Sequence, residues 1–350
     1  MRLLLFAALL LSAVTGFAQP AAASDSLTVE GIALHDAGKY REAVRKFEQA
    51  LRLNPNNTFA WYEMGNSYQA LQEYQEALKC ADKVIGGKGD LLAEAYALKG
   101  NTFDLMGKKE QAVQAYREGI SRGKPSNMLH FNLGITLMGQ EKYEEAATEF
   151  VNSLKIDFSH TSSHYGLGMA YSTTSSKVKT LLPLYYFLLL ENKGQRAKTA
   201  LKTIRNTAQT QLEKTSEGFI QINLPATPDD EFRTTETALA LHAAAEDAKR
   251  ETLKDSLGAD LPAPGEVQRL VAYNELFFKM LGETTGRPAD PFWWTSYADF
   301  FAALQANGHT EAFTYYLLLN GGDAGVREWL MANKPRLEAF SNWIMQYQNN

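Results

Sequence analysis

The stretch GIALHDAGKYREAVRKFEQALRLNP, residues 31–55, decides the fold, because its small and large residues return at one fixed period along the first half of the chain. Units begin near Ser24, Thr58, Ala93, Asn127 and Thr161, at spacings of 34, 35, 34 and 34 residues. Glycine holds the eighth place in each, as Gly31, Gly65, Gly100, Gly134 and Gly168. With only 25 glycines in 350 residues, five in register are not a chance arrangement. Alanine holds the twentieth place as Ala43, Ala77, Ala112 and Ala146, and a ring the twenty-fourth as Phe47, Tyr116 and Phe150, with Ala81 the exception. Self-similarity at a period of this size marks a stacked repeat architecture.

Each unit reads as two short amphipathic helices. In the second unit the first helix carries Trp61, Met64 and Tyr68, and the second carries Tyr74, Ala77 and Leu78, at the spacing of one apolar face. Gly65, Ala77 and their equivalents mark where the antiparallel helices cross, since a larger substituent there would push the backbones apart. Gly38, Gly107 and Gly139 fall in or near the turns, where a positive φ is expected of glycine. Pro55 ends the second helix of the first unit, having no N–H to continue it. One helix pair cannot bury its apolar face alone, so neighbours must stack into a superhelix.

These residues resemble the tetratricopeptide repeat family over residues 24 to about 194, the first unit almost throughout. The sequence departs from the family pattern in places. The closing proline is missing around Gly89, Phe158 and Asn192, it is displaced to Pro125 in the third unit, and Thr180 stands where the fifth unit would carry alanine. The helix expected over Leu181 to Leu190 is apolar nearly all round, which requires cover on both sides. It is therefore expected to join the array to the C-terminal half, with Pro183 starting or kinking it.

The resemblance implies a protein-interaction scaffold whose first helices line a concave groove for a peptide or partner helix. Groove-facing candidates are Phe59, Tyr62, Asn66, Gln69, Asn101, Asp104, Met128, Phe131, Asn132, Ile135, Tyr165 and Met169. Asn66, Asn101 and Asn132 can each donate to and accept from an extended backbone, or simply decorate a solvated helix. The aromatic and methionine surfaces supply apolar area. The clamp that holds chaperone C-terminal tails in this family needs lysine and arginine beside its asparagines. Here the counterparts include Ala97, Ser162 and Gly166, so an acidic tail is not the expected ligand. Repeat surfaces of this kind can also stack between chains, which makes self-association a further expectation.

Arg2 precedes an uncharged apolar run from Leu3 to Val14 and the small-residue pattern Gly16-Phe17-Ala18. This reads as a secretory signal peptide over residues 1–18, cleaved after Ala18. No cysteine lies nearby to carry a lipid, so the mature protein is expected to be free in the periplasm or secreted. Neither this run nor Leu181–Leu190 reaches the roughly 20 apolar residues a membrane-spanning helix needs.

Charge and composition narrow the function classes. Thirty-five basic and 40 acidic residues give a net charge of −5 without long blocks of one sign, which argues against nucleic acid as a partner. Cys80 is the sole cysteine, so a disulfide framework and Cys-rich metal sites are excluded. Of six histidines none lies in an H-E-x-x-H motif; His130 and His164 stand at the fourth place of their units, where the second and third units carry the large Trp61 and Tyr96, so packing explains them. There is no G-x-S-x-G elbow and no phosphate loop, so no cofactor or metal is expected.

Residues 195–350 read as a helical domain of unassigned family. Helices are expected over Gln195–Leu212, Glu231–Leu257 and Gly265–Leu281, a short extended segment at Ile220, Ile222 and Leu224, and a further start at Asp290-Pro291. Phe292, Trp293, Trp294, Tyr297, Phe300 and Phe301 follow at helical spacing, the pattern of a core. The expected fold class is thus all-α, a repeat array followed by a helical domain. Two functional readings stay open: an exported, non-enzymatic adaptor, or a C-terminal ligand-binding or hydrolase-like unit, using carboxylates such as Glu283, Asp290 and Asp299, to which the repeats recruit substrate.

Overall fold

The computed structural model describes residues 20–87, 90–174, 176–208, 213–214, 220–221, 231–257, 265–284 and 291–348. The expected signal peptide, Ile222, Leu224, the linker at 258–264 and Asp290 lie outside them. The chain forms two compact units, divided between Asp157 and Phe158.

The first unit is four helix pairs. Helix α1 covers residues 20–36, and α2 (Tyr40–Leu53), α3 (Thr58–Ala70), α4 (Tyr74–Ile85), α5 (Leu92–Leu105), α6 (Lys109–Arg122), α7 (Asn127–Met138) and α8 (Tyr143–Ile156) follow. The register glycines show why the pairs close so tightly. A Cβ on Gly31 would lie 2.8 Å from Cδ1 of Phe47, and one on Gly134 3.0 Å from Cδ1 of Phe150, well inside the roughly 3.5–4.0 Å at which carbons rest. Each ring at the twenty-fourth place lies flat over the glycine at the eighth. The second unit of the period, where Ala81 replaces the ring, fills the space differently, Gly65 facing Leu98 and Cys80.

Two turns differ from expectation. Gly38 and Gly107 have φ of 73°, but Gly139 is right-handed at −68°. In that turn the left-handed residue is Glu141, and its equivalent in the second unit is Gln72, with φ of 61° and 60°. The turn geometry repeats while the residue type does not; glycine lowers the cost of the conformation without being required for it.

Asn57 caps α3, accepting from the Ala60 N–H at 2.9 Å, and its amide donates to Ser24 Oγ at 3.0 Å, tying one repeat to the previous one. Consecutive first helices pack directly on one another, α3 on α5 and α5 on α7. Short polar side chains stitch this layer together, whereas the second helices are linked by long, exposed ion pairs such as Arg41–Glu73 and Arg117–Glu145. Such exposed pairs contribute little, about 0–1 kcal/mol each, so stacking rests on the buried faces.

The second unit begins with α9 (Thr161–Tyr171) and α10 (Lys177–Leu190), the fifth helix pair of the period. The period placed the end of the array at residue 194, while compactness groups this pair with the helices after it. Its register glycine meets an aliphatic side chain, a Cβ on Gly168 falling 2.7 Å from Leu184 Cδ2. Leu181 to Tyr185, Phe187 and Leu188 are all buried, as an all-apolar helix requires, and Pro183 lies inside the helix.

Helices α11 (Gly194–Ala208), α12 (Arg233–Leu257), α13 (Glu266–Glu283), a π-helical turn (Trp294–Ala298), α14 (Asp299–Ala306), α15 (Thr310–Leu318), α16 (Ala324–Ala332) and α17 (Lys334–Gln348) complete the unit. Between α11 and α12 the strands β1 (Glu213–Lys214) and β2 (Ile220–Gln221) pair antiparallel, supplying the partner that the extended segment lacked in the sequence. The fold is otherwise all-α among the described residues.

The aromatic cluster of this unit is its core. Tyr185 packs against Phe278, Phe301 and Phe313, its hydroxyl donating to Asn274 Oδ1 at 2.5 Å while the Asn274 amide donates to Thr314 Oγ1 at 2.9 Å. His164 is fully buried, one ring nitrogen 2.6 Å from the Tyr297 hydroxyl and the other 2.8 Å from the Phe158 carbonyl. The buried Glu236 of α12 closes the start of α10, accepting from the Val178 N–H at 2.9 Å and from Ser176 Oγ at 3.1 Å.

Candidate functional site

Eight of the ten residues expected to matter most at the groove, Phe59, Tyr62, Asn66, Asn101, Asp104, Met128, Phe131 and Asn132, lie on first helices of the first unit, and Tyr165 and Met169 on α9 of the second. The first helices carry them because the opposite face of each packs its register glycine against a neighbour, a ring for α5 and α7, Leu98 and Cys80 for α3 and Leu184 for α9. Phe59 is 44% exposed and Ile135 46%, large apolar surfaces left to solvent on α3 and α7.

The asparagines are not simply free peptide ligands. Asn101 Oδ1 accepts both the Tyr116 hydroxyl, at 2.6 Å, and the Asn132 amide, at 3.1 Å. The carbonyl of Asn101 and one N–H of Asn132 are therefore committed to the scaffold. What stays available is the Asn101 amide and the Asn132 carbonyl, one donor and one acceptor side by side on neighbouring repeats. Asn66 donates to Glu63 Oε2 at 3.4 Å.

The same stitching runs through the layer. His35 Nδ1 lies 2.8 Å from Ser67 Oγ, and the Gln69 amide donates to Thr102 Oγ1 at 3.0 Å. Burial raises the pKa of Tyr62, opposed by the neighbouring Asn66 side chain, and burial likewise raises the Glu63 carboxyl. Phe131 packs its ring on Phe150, 5.9 Å between centroids, so it is as much a wedge between helices as a surface. The sequence missed Glu63 and Glu94, half-buried on this layer; acidic residues inside amphipathic helices read as ordinary solvated positions.

In the second unit Tyr165 packs against Phe187, the ring planes tilted by 53°, with the Arg196 guanidinium over both rings at 5.7 and 5.5 Å. Arg196 also donates to Ser162 Oγ at 3.0 Å and pairs with Glu191. Met169 Sδ receives the Thr203 hydroxyl at 3.9 Å. These two positions are thus engaged by α11, the helix that follows their repeat.

Two recesses flank the core of this unit. One, of about 490 Å³, is lined by apolar side chains including Leu190, Phe300, Leu337 and Met345, with Tyr186, Tyr316 and Ser341 supplying the polar atoms. The other, of about 850 Å³, contains His242, Glu275, His309 and the ion-paired Glu311 and Arg336. Burial lowers the pKa of His309. Among the described residues no group of three histidine, cysteine or acidic side chains could hold a metal ion, and no helix is long and apolar enough to cross a membrane.

Models of the tetratricopeptide repeat match residues 31–72, 59–123 and 97–159. Residues 31–159 are tetratricopeptide repeats. The matched stretch of repeats ends close to the division between the compact units. Tetratricopeptide repeat protein 6 of Homo sapiens is 25% identical over 134 residues, covering 36% of this chain and 24% of that protein. Hsp70-Hsp90 organizing protein 3 of Arabidopsis thaliana is 32% identical over 82 residues, covering 23% and 14%. The chain thus spans about a quarter or less of these curated relatives. Among solved structures, PilF of Pseudomonas aeruginosa aligns with a TM-score of 0.48 at 18% identity, over 55% of this chain and 85% of that one. YrrB, a tetratricopeptide repeat protein with an unusual peptide-binding site, aligns with a TM-score of 0.39 at 19% identity, over 50% and 90%. The repeats of residues 31–159 imply a scaffold for protein–protein interaction.

Proposed function

We propose that the protein is an exported, non-catalytic adaptor that holds an extended segment of a partner protein along the first helices of its repeats. The observation that carries this reading is the juxtaposition, on one layer, of an unspent donor and acceptor at Asn101 and Asn132 with the exposed faces of Phe59 and Ile135. An extended backbone needs a donor and an acceptor, and alternate side chains need apolar seats. Both are present without any rearrangement of the scaffold. The apolar run at Leu3 to Val14, followed by Gly16-Phe17-Ala18, supports export.

The test is capture of envelope proteins from the source cells by the immobilised full chain, compared with a Phe59→Ser/Ile135→Ser variant. The expected result is at least a tenfold loss of the specifically retained partner, with the helical signal of the variant unchanged. Equal recovery by both proteins refutes the binding face.

A further inference from the structure

The two layers of the first unit differ in charge. Helices α1, α3, α5 and α7 carry six acidic residues and one basic residue, whereas α2, α4, α6 and α8 carry nine acidic and ten basic. The single basic residue of the first layer, Lys99, is turned to the second, pairing with Asp82 of α4 at 2.8 Å. Glu30 is likewise occupied by Lys46 of α2. Among the described residues the other five carboxylates of the first layer have no cationic partner within ion-pair distance: Asp25, which accepts from the Asn57 amide at 3.3 Å, and Asp36, Glu63, Glu94 and Asp104. On the second layer Glu76, Asp82, Glu145 and Glu149 are paired and Glu42, Glu48, Glu110, Glu118 and Glu144 are not, but ten basic residues there balance nine acidic ones, whereas the first layer has no cation left to offset its carboxylates.

Three of these carboxylates share one field, and Asp104 lies beside the asparagine pair. Asp36 acts on the Glu63 carboxyl, and Glu63 and Glu94 both act on the Tyr62 hydroxyl, so three successive first helices bring their charges within electrostatic reach. Asp104 acts on Tyr116, whose hydroxyl is bonded to Asn101, which places the fourth beside the asparagine pair. Glu94 Oε2 and Asp104 Oδ1 are covered and accept no hydrogen bond, a shortage of donors rather than of acceptors.

We propose that the segment bound by this layer is basic and extended, its lysine or arginine side chains pairing with Asp36, Glu63, Glu94 and Asp104 while its backbone meets Asn101 and Asn132. The inference rests on the reading of the first helices as the binding face and adds the chemistry of what binds there. Charge complementarity of this kind fixes register and speeds encounter, and it weakens with salt. An acidic segment is rejected by the same four groups.

The experiment measures anisotropy of labelled peptides of about twelve residues binding to the full chain. The peptides share apolar residues at alternate positions and differ in carrying lysine, serine or glutamate between them. The lysine peptide is expected to bind at least tenfold more tightly than the serine peptide, and the glutamate peptide more weakly than either. A Glu63→Gln/Glu94→Gln/Asp104→Asn variant is expected to lose that tenfold preference. A Glu110→Gln/Glu118→Gln/Glu144→Gln variant, which removes equal charge from the second helices, is expected to keep it. Equal loss in both variants would mean attraction to net charge alone and overturns the proposal, as does failure of the lysine peptide to bind. If serine or glutamate peptides bind as tightly and are weakened by Phe59→Ser/Ile135→Ser, the charge assignment fails while the binding face stands. If Phe59→Ser/Ile135→Ser weakens no peptide, both fail.

Discussion

Replacing Gly100 by alanine tests the packing logic of the repeats where it is tightest. A Cβ there would lie 2.6 Å from both Cδ1 and Cζ of Tyr116, and nearer still to Cε1. Carbon atoms rest at roughly 3.5–4.0 Å, so the ring must retreat by about 1 Å. Tyr116 is 1% exposed and its hydroxyl is held by Asn101 at 2.6 Å, which leaves it little room. Overpacking costs about 1–3 kcal/mol, and displacement of the hydroxyl adds about 1 kcal/mol. Against this, alanine gains up to about 1 kcal/mol over glycine inside a helix. The net expectation is a loss of about 2 kcal/mol, which at a slope of about 2 kcal/mol/M lowers the urea midpoint by about 1 M. Far-UV circular dichroism of the full chain in urea is the assay. On a Tyr116→Leu background, where a flexible side chain replaces the ring, the same Gly100→Ala change is expected to cost less than half as much, since the two residues are coupled through contact. A Gly100→Ala protein as stable as its parent, or a cost unchanged by Tyr116→Leu, would refute the reasoning.

Burial pushes the Cys80 thiol up to about 12 from an ordinary value near 9.0, so at pH 8 a thiol reagent is expected to label the native protein far more slowly than the urea-unfolded chain. Because the raised value favours the neutral thiol in the folded state, this group's contribution to stability is complete below about pH 9 and is lost as pH climbs toward 12; fast native labelling at pH 8 would contradict the placement. Glu236→Ala removes the acceptor for the Val178 N–H and the Ser176 hydroxyl and is expected to cost about 1–3 kcal/mol, with Glu236→Gln milder because it keeps an acceptor, both read from urea midpoints. Mass spectrometry of protein recovered from its native cells is expected to find Gln19 as the first residue; an intact Met1 in the exported fraction would contradict cleavage after Ala18.

The repeats were legible because their packing is local. Gly100 and Tyr116 lie on adjacent helices of one unit, so the geometry that demands a glycine beneath a ring recurs in the first, third and fourth periods and writes itself into residue types. Ala81 looked like a lapse and is instead a site where Leu98 of the next repeat takes the space. What remained hidden are pairings between residues whose types leave many partners open. Nothing in the sequence says that the Asn101 carbonyl is spent on Tyr116 and Asn132, since an asparagine on a solvated helix has the same appearance.

In the second unit the decisive contacts are distant along the chain. Glu236 closes α10 across 58 residues, and Tyr297 meets His164 across 133. Without a period to align them, such contacts leave no pattern. Gly139 shows the opposite error, a residue type taken for a conformation. The turn needs one left-handed residue, and Glu141 supplies it.

The central claim, that the first helices of the repeats are the partner-binding face, is tested most directly by site-specific photo-crosslinking in the native cell. A photoreactive residue is placed singly at Phe59 or Ile135 on that face, and at Lys79 or Glu144 on the second helices. The account predicts that Phe59 and Ile135 yield the same discrete adduct of higher mass and that Lys79 and Glu144 do not. Adducts of equal yield from both layers, or from the second helices alone, would contradict it.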